Sequence, residues 1–565
     1  MKAKYILMFS IAGAFAMTSC NKMLDIEQHG VEAIDDFYKT DAQVESANAE
    51  TYNLFRAQPN GASTLNLGFY GSWEWCQIAV KEQLSDNTWA GGENRNDNTD
   101  GFQVAEYSFD SENPALEKYY TLLYTLVYRA NLVLDNAVEG QSSAIDQYRA
   151  EAKVFRAYAY FELTTFWGVP PLVDHVLTPD EYKVTNATPE ELWAFMEKDL
   201  TEAIGSGKLV EKKAVDDKTT WRITKQFAQT LLAKVYLWQK KYSDAAAQID
   251  AVVASGKYRL MPASEGAYGD MLHVNCNFNS ESMLQFNRVP DNNTSQGWTY
   301  YTSYFGPRGD KMVWTPDGDW QARGTNTPEG QTAYDVYETT CWGIGCPTQD
   351  LYDAFVKEEG PNGYRMHETI RGYTTMQREE GWRLKNGAVM CGDSVFMWKT
   401  RMIKDDRMGL TRNRGKNWTL MRYAEALLIG AEAHLMNNNT AKAEEYLNMV
   451  RDRAQLPEKH GITLDDIKIE KRLELCYEGS RAQDIWRWGD GPALLGKKGE
   501  SAHWFKVVYD PSDPGNPDKD TKTMEYTATY PNANAFGFKV GKSERLPFPM
   551  SETIANPNII QNPGY

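Results

Sequence analysis

Apolar residues recur every three or four positions through nine stretches of this chain: 42–57, 115–137, 145–167, 189–204, 224–239, 243–254, 420–436, 440–453 and 463–478. That spacing matches the 3.6 residues of a helical turn and predicts amphipathic helices. In the third stretch Tyr148, Ala152, Phe155, Ala159 and Leu163 share one face, and Gly168-Val169-Pro170-Pro171 stops the run. Two of the helix pairs echo one another. Ala228, Ala233, Leu237, Ala245 and Ile249 stand at the same relative spacings as Ala426, Ala431, Leu435, Ala443 and Leu447. Small residues at crossing points, with larger apolar residues one turn on, let two helices pack closely.

The two pairs therefore resemble tetratricopeptide hairpins of an array that insertions interrupt. Between them, 258–419 has almost no helical period apart from 348–359. It carries Trp298, Tyr300, Tyr301, Tyr304, Phe305, Trp314, Trp320, Tyr334, Tyr337 and Trp342 among Gly, Asn and Asp. A second irregular stretch, 60–113, holds Trp73, Trp75 and Trp89 beside SDNTWAGGENRNDN. Long loops this aromatic are expected to be ordered and used rather than disordered. The predicted fold is mostly α, with four tetratricopeptide-like helix pairs packed against a loop-rich, aromatic-bearing irregular region.

The chain's start changes the picture from a cytosolic solenoid to an exported one. Lys2 and Lys4 precede the apolar run Ile6–Met17, then Thr18-Ser19 and Cys20. The run is too short to span a bilayer and has the layout of a secretory signal. Small residues directly before a cysteine resemble a bacterial lipobox, although Met17 stands where leucine is usual. That resemblance implies removal of residues 1–19 and acyl chains on Cys20, and two or more chains anchor stably. No later stretch offers the roughly 18 apolar residues of a membrane-spanning helix.

The net charge of −17 disfavours nucleic acid and anionic lipid as partners. Loss of the leader removes two lysines and makes the balance more negative. Six further cysteines are too few for a disulfide scaffold. Cys341 and Cys346, in CWGIGC, fit neither a zinc knuckle nor a redox CxxC, and either close a small disulfide or stay as thiols.

The C-terminal third carries the most specific patterns. EKRLELCYEGSRAQDIWRWG, Glu470 to Gly489, reads as a helix with Leu473 and Tyr477 on one face. Gly479 is expected to stop it, with a short turn through Asp484 after it. Arg481, Arg487, Glu474, Glu478 and Asp484 are expected to form a charge network locking that turn under Trp486 and Trp488. The last nineteen residues, PFPMSETIANPNIIQNPGY, are spaced by prolines, which predicts an extended tail that staples distant elements.

Together these stretches resemble the SusD/RagB family of nutrient-binding outer-membrane lipoproteins. The matching positions are Arg472, Glu474, Leu475, Glu478, Gly479, Arg481, Asp484, Arg487, Trp488 and Gly489, then Pro547, Pro549, Glu552, Asn556, Pro557, Gln561, Asn562, Pro563, Gly564 and Tyr565. Phe548 stands where an aliphatic residue is more usual.

The resemblance implies one structural unit after the leader: residues 20–225 as its N-terminal part, and 226–565 as its C-terminal part with the insertion 258–419. It also implies capture of an oligo- or polysaccharide at the cell exterior and delivery to a SusC-like TonB-dependent transporter. Some relatives capture peptides, and a wet, Asn- and Asp-rich aromatic surface favours glycan. Sugar C–H faces pack on indole and phenol rings while polar side chains bond the hydroxyls. The candidate ligand residues are thus Trp73, Trp75, Asp86, Asn87 and Trp89 in the early loop, and Trp298, Tyr301, Trp314 and Trp320 in the insertion.

An exported glycoside hydrolase is the rival class. Two carboxylates at a set separation would serve it, but the chain has no HExxH and no GxSxG, and no strand–helix alternation of a catalytic barrel. His367-Glu368 lacks a second histidine, and His434 lies in a repeat helix. A binding protein without enzymatic activity is expected. No cofactor is expected either, apart from a candidate calcium loop, Asp510, Asp513, Asn516, Asp518 and Asp520, which offers hard oxygen ligands without EF-hand spacing.

Overall fold

The computed structural model describes residues 34–55, 73–288, 304–306, 308, 311–314, 342–380, 382–401, 406, 415–529 and 536–565. The predicted periods become helices α1 (Asp41–Leu54), α2 (Pro114–Asn136), α3 (Ser143–Trp167), α4 (Pro189–Gly205), α5 (Lys225–Trp238) and α6 (Tyr242–Ala254). Later come α7 (Gln349–Glu359), α8 (Tyr423–Met436), α9 (Thr440–Arg453), α10 (Leu464–Glu474) and α11 (Arg481–Trp488). Their starts follow local chemistry. Thr40 with Gln43 and Thr188 with Glu191 close capping boxes on α1 and α4, and Asn113 accepts the N–H groups of Ala115 and Leu116 ahead of α2. Gly168 ends α3 at φ +80°, a conformation that a Cβ would strain.

The fold is mostly α and of the expected tetratricopeptide-like kind. Successive helices from α2 to α6 pack each on the next, and α6 then packs on α8, so the two echoing hairpins are spatial neighbours although residues 255–422 separate them. Ala228, Ala233, Ala245, Ile249, Ala426, Ala431, Ala443 and Leu447 are fully buried at those crossings. Gly430 allows the closest approach. A Cβ there would lie 2.7 Å from Ile249 Cγ2 and 2.8 Å from the Tyr446 ring. His434 lies in this seam, its Nε2 2.8 Å from Asp250 Oδ1, which also accepts the Tyr446 hydroxyl at 2.7 Å. The main core draws side chains from Tyr52 to Ile559.

Four expectations need correction. The helix expected over 420–436 begins only at Tyr423, because 420–422 belong to a strand, Trp418–Arg422, that pairs antiparallel with Ser282–Phe286. The stretch 258–419 also holds two helices beyond 349–359, Tyr364–Thr369 and Tyr373–Glu380. Helix α10 stops at Glu474 rather than at Gly479, since Tyr477 already turns to φ +63°, and α11 replaces the short turn through Asp484. The tail is extended only in part. Met550–Ala555 is a proline-free window in which the Asn556 N–H donates to Glu552 O, and it closes a short helix. Around that helix the tail does staple. Asn562 donates to Trp167 O and Leu546 O, the Trp167 indole donates to Pro547 O, and Phe548 is buried beside Tyr120.

The Glu470–Gly489 stretch is the charged centre of the molecule. Glu474 accepts from Arg422 at 2.6 Å, from Arg365 at 3.0 Å, from Arg453, and from the Tyr268 hydroxyl at 2.6 Å. Burial alone would raise its pKa, but the three guanidiniums hold it well below the carboxylate range. Glu478 pairs with Arg422 at 2.6 Å and with Lys399, and Arg487 with Glu432 at 2.5 Å. The expected network among the five motif residues is thus not formed as such, because each of them pairs chiefly with a residue outside the set, Arg481 with Asp86 and Asp484 with Lys471 among them. Within the motif set itself, Arg487 meets Asp484 at 3.1 Å.

Candidate functional site

The site begins with the tripeptide Ser85-Asp86-Asn87, which launches β1 (Thr88–Gly91). Asp86 is gripped by Arg481 at 2.8 and 2.7 Å and by Arg472 at 3.3 Å, and Arg472 Nε also donates to Asn87 Oδ1 at 2.8 Å. Burial would push the Asp86 carboxyl up, yet these two guanidiniums bring it down to about 2. Two arginines of the C-terminal motif thus hold the early loop in place.

β1 pairs antiparallel with β2 (Ile344–Pro347) from the insertion, with Trp89 opposite Cys346 and Gly91 opposite Ile344. Gly91 sits at φ +83° and its backbone runs so close to the partner strand that a Cβ would lie 2.2 Å from Gly343 O. The two irregular stretches are therefore one surface, stitched along this ladder. The Thr348 N–H donates to Asn87 O at 2.9 Å and continues the seam into α7.

Trp89 is the early-loop tryptophan that stays partly accessible. Its indole N–H donates to Asp393 Oδ2 at 2.7 Å, the Gln349 N–H donates to the same oxygen at 2.9 Å, and His503 Nδ1 lies 2.6 Å from Asp393 Oδ1. The His503 ring centroid is 4.8 Å from that of Trp89, tilted by 32°. His503 comes from a strand, Ser501–Val508, which pairs with Val389–Cys391. Burial pushes Asp393 up, but the bonds from His503, Trp89 and Gln349 outweigh it and hold the carboxyl below its usual range. The same Asp393 contact raises the His503 imidazole above its ordinary value, against partial burial. A half-buried indole, pinned at its N–H and flanked by an imidazole, makes a rigid aromatic platform with polar groups at its rim.

Four of the early-loop candidates serve packing or support rather than the accessible surface. Trp73 and Trp75 are each 1% exposed. Trp73 packs on Phe55, Tyr119 and Tyr158, and Trp75 on Tyr304, so neither offers a ring face to a ligand. Asp86 and Asn87 are committed to the motif arginines, with Asn87 fully buried and the Asp86 side chain 8% exposed. In the insertion, Trp314 ends the strand Met312–Trp314 opposite Trp382. Its side chain, together with Trp298, Tyr301 and Trp320, lies outside the described residues, as do Cys20, the leader 1–19 and Cys341. Asp393, His503 and Gln349 went unread in the sequence. The alternation and β-branched content of 501–508 and 521–529 were the available signal for a hairpin.

That hairpin also explains the candidate calcium loop, which connects its two strands. Asp513 pairs with Lys519 at 2.9 Å, Asp518 with Arg378 at 2.7 Å, Asp520 with Arg383, and Asp510 accepts the Ser512 N–H and hydroxyl. The carboxylates are spent on the chain's own cations and turns. Among the described residues no group of three or more His, Cys, Asp or Glu is arranged to hold a metal ion. Nor is any described helix long and apolar enough to cross a membrane.

Comparison with known proteins gives a single answer. Residues 286–565 match the model described as "SusD family", and residues 74–237 match one described as "Starch-binding associating with outer membrane". A SusD-like protein of Bacteroides ovatus is 24% identical over all of this chain and 98% of its own length. SusD-like protein P2 of Formosa agariphila is 22% identical over 96% of each chain. Among solved structures, a laminarin-binding SusD-like protein superposes with a TM-score of 0.69 at 24% identity, covering 94% of this chain and 100% of its own. Surface glycan-binding protein A from Bacteroides thetaiotaomicron, in complex with laminarihexaose, reaches 0.66 at 20% identity, covering 92% of this chain and 99% of its own.

Proposed function

This chain belongs to the SusD-like family, and from that premise we propose that it captures a glycan at the outer membrane on the Trp89 platform. The observation that carries this reading is the Trp89–Asp393–His503 arrangement, where both irregular stretches and a C-terminal strand converge on one pinned, partly exposed indole. Relatives of the same fold that are described as binding laminarin or laminarihexaose support the ligand class. Binding involves no bond breaking. Shallow stacking gives affinities of about −4 to −8 kcal/mol, weak enough to release the ligand onward. In this reading acyl chains on Cys20 hold the protein at the cell exterior, and a SusC-like TonB-dependent transporter receives the glycan.

Affinity electrophoresis of the mature chain through gels containing a panel of polysaccharides, laminarin among them, tests the reading. Retardation by one polymer that is lost in Trp89→Ala supports it. Retardation by none, with no heat of binding to short oligosaccharides, overturns it. Retention of the transporter on the immobilised chain tests delivery separately.

A further inference from the structure

A second aromatic cavity lies far from Trp89, at the crossing of α1 and α2. It is open to solvent and offers about 440 Å³. On α2, Tyr128 and Leu132 stand one turn apart on the same face. Opposite them, Phe37 and Tyr38 meet edge to face, with ring centroids 5.2 Å apart. Tyr38 is buried and forms the inner wall, while Tyr128 is 49% exposed and forms the mouth.

The rim is polar and rigid. Arg129 pairs with Glu50 at 3.2 Å and donates to Glu50 O at 2.5 Å, so its guanidinium is fixed to the end of α1. A groove of this size is within the range of small-ligand sites. Ala115, at the other end of α2, packs with Trp75 and Ile344 next to the β1 ladder. Thirteen residues at 1.5 Å each put Tyr128 about 20 Å along the helix from that end.

We propose that this cavity is a second glycan subsite, taking one or two uncharged sugar units between the Tyr128 and Phe37 rings. The aromatic walls suit sugar C–H faces, and the Tyr128 hydroxyl, Glu50 carboxylate and Arg129 guanidinium bond hydroxyls at the rim. Its cation, Arg129, is already neutralised by Glu50, which disfavours an anionic ligand. The polar rim disfavours an acyl chain. The ligand class rests on the reading of the protein as a glycan binder, whereas the cavity does not. Two subsites on one rigid chain let a polymer be held at two points, which raises its retention without strengthening either contact.

The test uses the mature chain, the polysaccharide that retards it, and a short oligosaccharide of the same linkage. Tyr128→Ala opens the mouth, and Ala47→Trp fills the cavity. Titration calorimetry is expected to give two oligosaccharides per wild-type chain and one per chain for either variant. Polymer affinity is expected to fall about tenfold or more, with the Trp89 site unchanged. One oligosaccharide per wild-type chain, or two still bound by both variants, overturns this proposal and leaves the Trp89 reading standing. Binding of no glycan by the wild type overturns both.

Discussion

Asp393 accepts the Trp89 indole N–H at 2.7 Å across 304 positions of sequence, a side-chain tie between the early loop and the insertion beside the β1–β2 ladder. Asp393→Ala removes the acceptor of the indole N–H and the carboxylate beside His503 Nδ1. Losing a charge-assisted hydrogen bond of this kind costs about 1.5–3 kcal/mol. Glycan affinity is therefore expected to drop about tenfold or more through loss of a fixed ring orientation. Trp89→Ala is expected to abolish binding at this site. Calorimetry with the retarding glycan, alongside far-ultraviolet circular dichroism to show an intact fold, reads the difference.

His503 gives that platform a pH dependence of definite sign. Its folded pKa is raised by Asp393 above the ordinary value near 6.5. The stabilisation is fully present below about pH 6.5 and is lost as pH rises through the folded value. Affinity for a neutral glycan should accordingly weaken on the alkaline side. His503→Gln, which keeps a donor without a titration, should flatten the profile. An unchanged pH profile in that variant would remove His503 from the platform.

Asp86 predicts the opposite limb. Its folded pKa, about 2, lies below the unfolded value near 3.9. Its contribution of about 2 kcal/mol is present above pH 4 and is lost as pH falls towards 2. Asp86→Ala strands Arg481 and deprives Arg472 inside the core, which costs about 3–5 kcal/mol. Urea unfolding of wild type and variant at pH 7 and pH 3 should show the gap narrowing in acid.

Most of the helical frame was legible because its signals are local. A 3.6 period, a capping Thr or Asn and a terminal Gly act within a few residues, and α2 to α6 fall within three residues of their predicted ends. The repeat of Ala228–Ile249 in Ala426–Leu447 was legible for the same reason, and α6 packs on α8 as a repeat requires. Of the site, Trp89 was legible in its aromatic loop, but the residues that hold it were not. Asp86 reads as a ligand hydrogen-bonding group because it stands beside Trp89 in an aromatic, Asn-rich loop. Its partners, Arg472 and Arg481, stand nearly four hundred positions away. Trp73 and Trp75 have the composition of a binding loop, and only tertiary packing on Phe55, Tyr119 and Tyr304 reveals them as core.

Gly430 offers a test of the stack that leaves the ligand surface alone. In an exposed helix, Gly→Ala would stabilise by about 1 kcal/mol through backbone entropy. Here the added methyl would lie 2.7 Å from Ile249 and 2.8 Å from Tyr446, inside a seam that also holds the His434–Asp250 pair. Overpacking a close-packed crossing costs about 1–3 kcal/mol, enough to outweigh the propensity gain. Gly430→Ala should therefore be neutral to destabilising, and Gly430→Val clearly destabilising, with glycan affinity unchanged in both. Stabilisation by alanine in chemical denaturation would mean that α6 and α8 can move apart without loss, and that the echoing hairpins do not form a rigid stack.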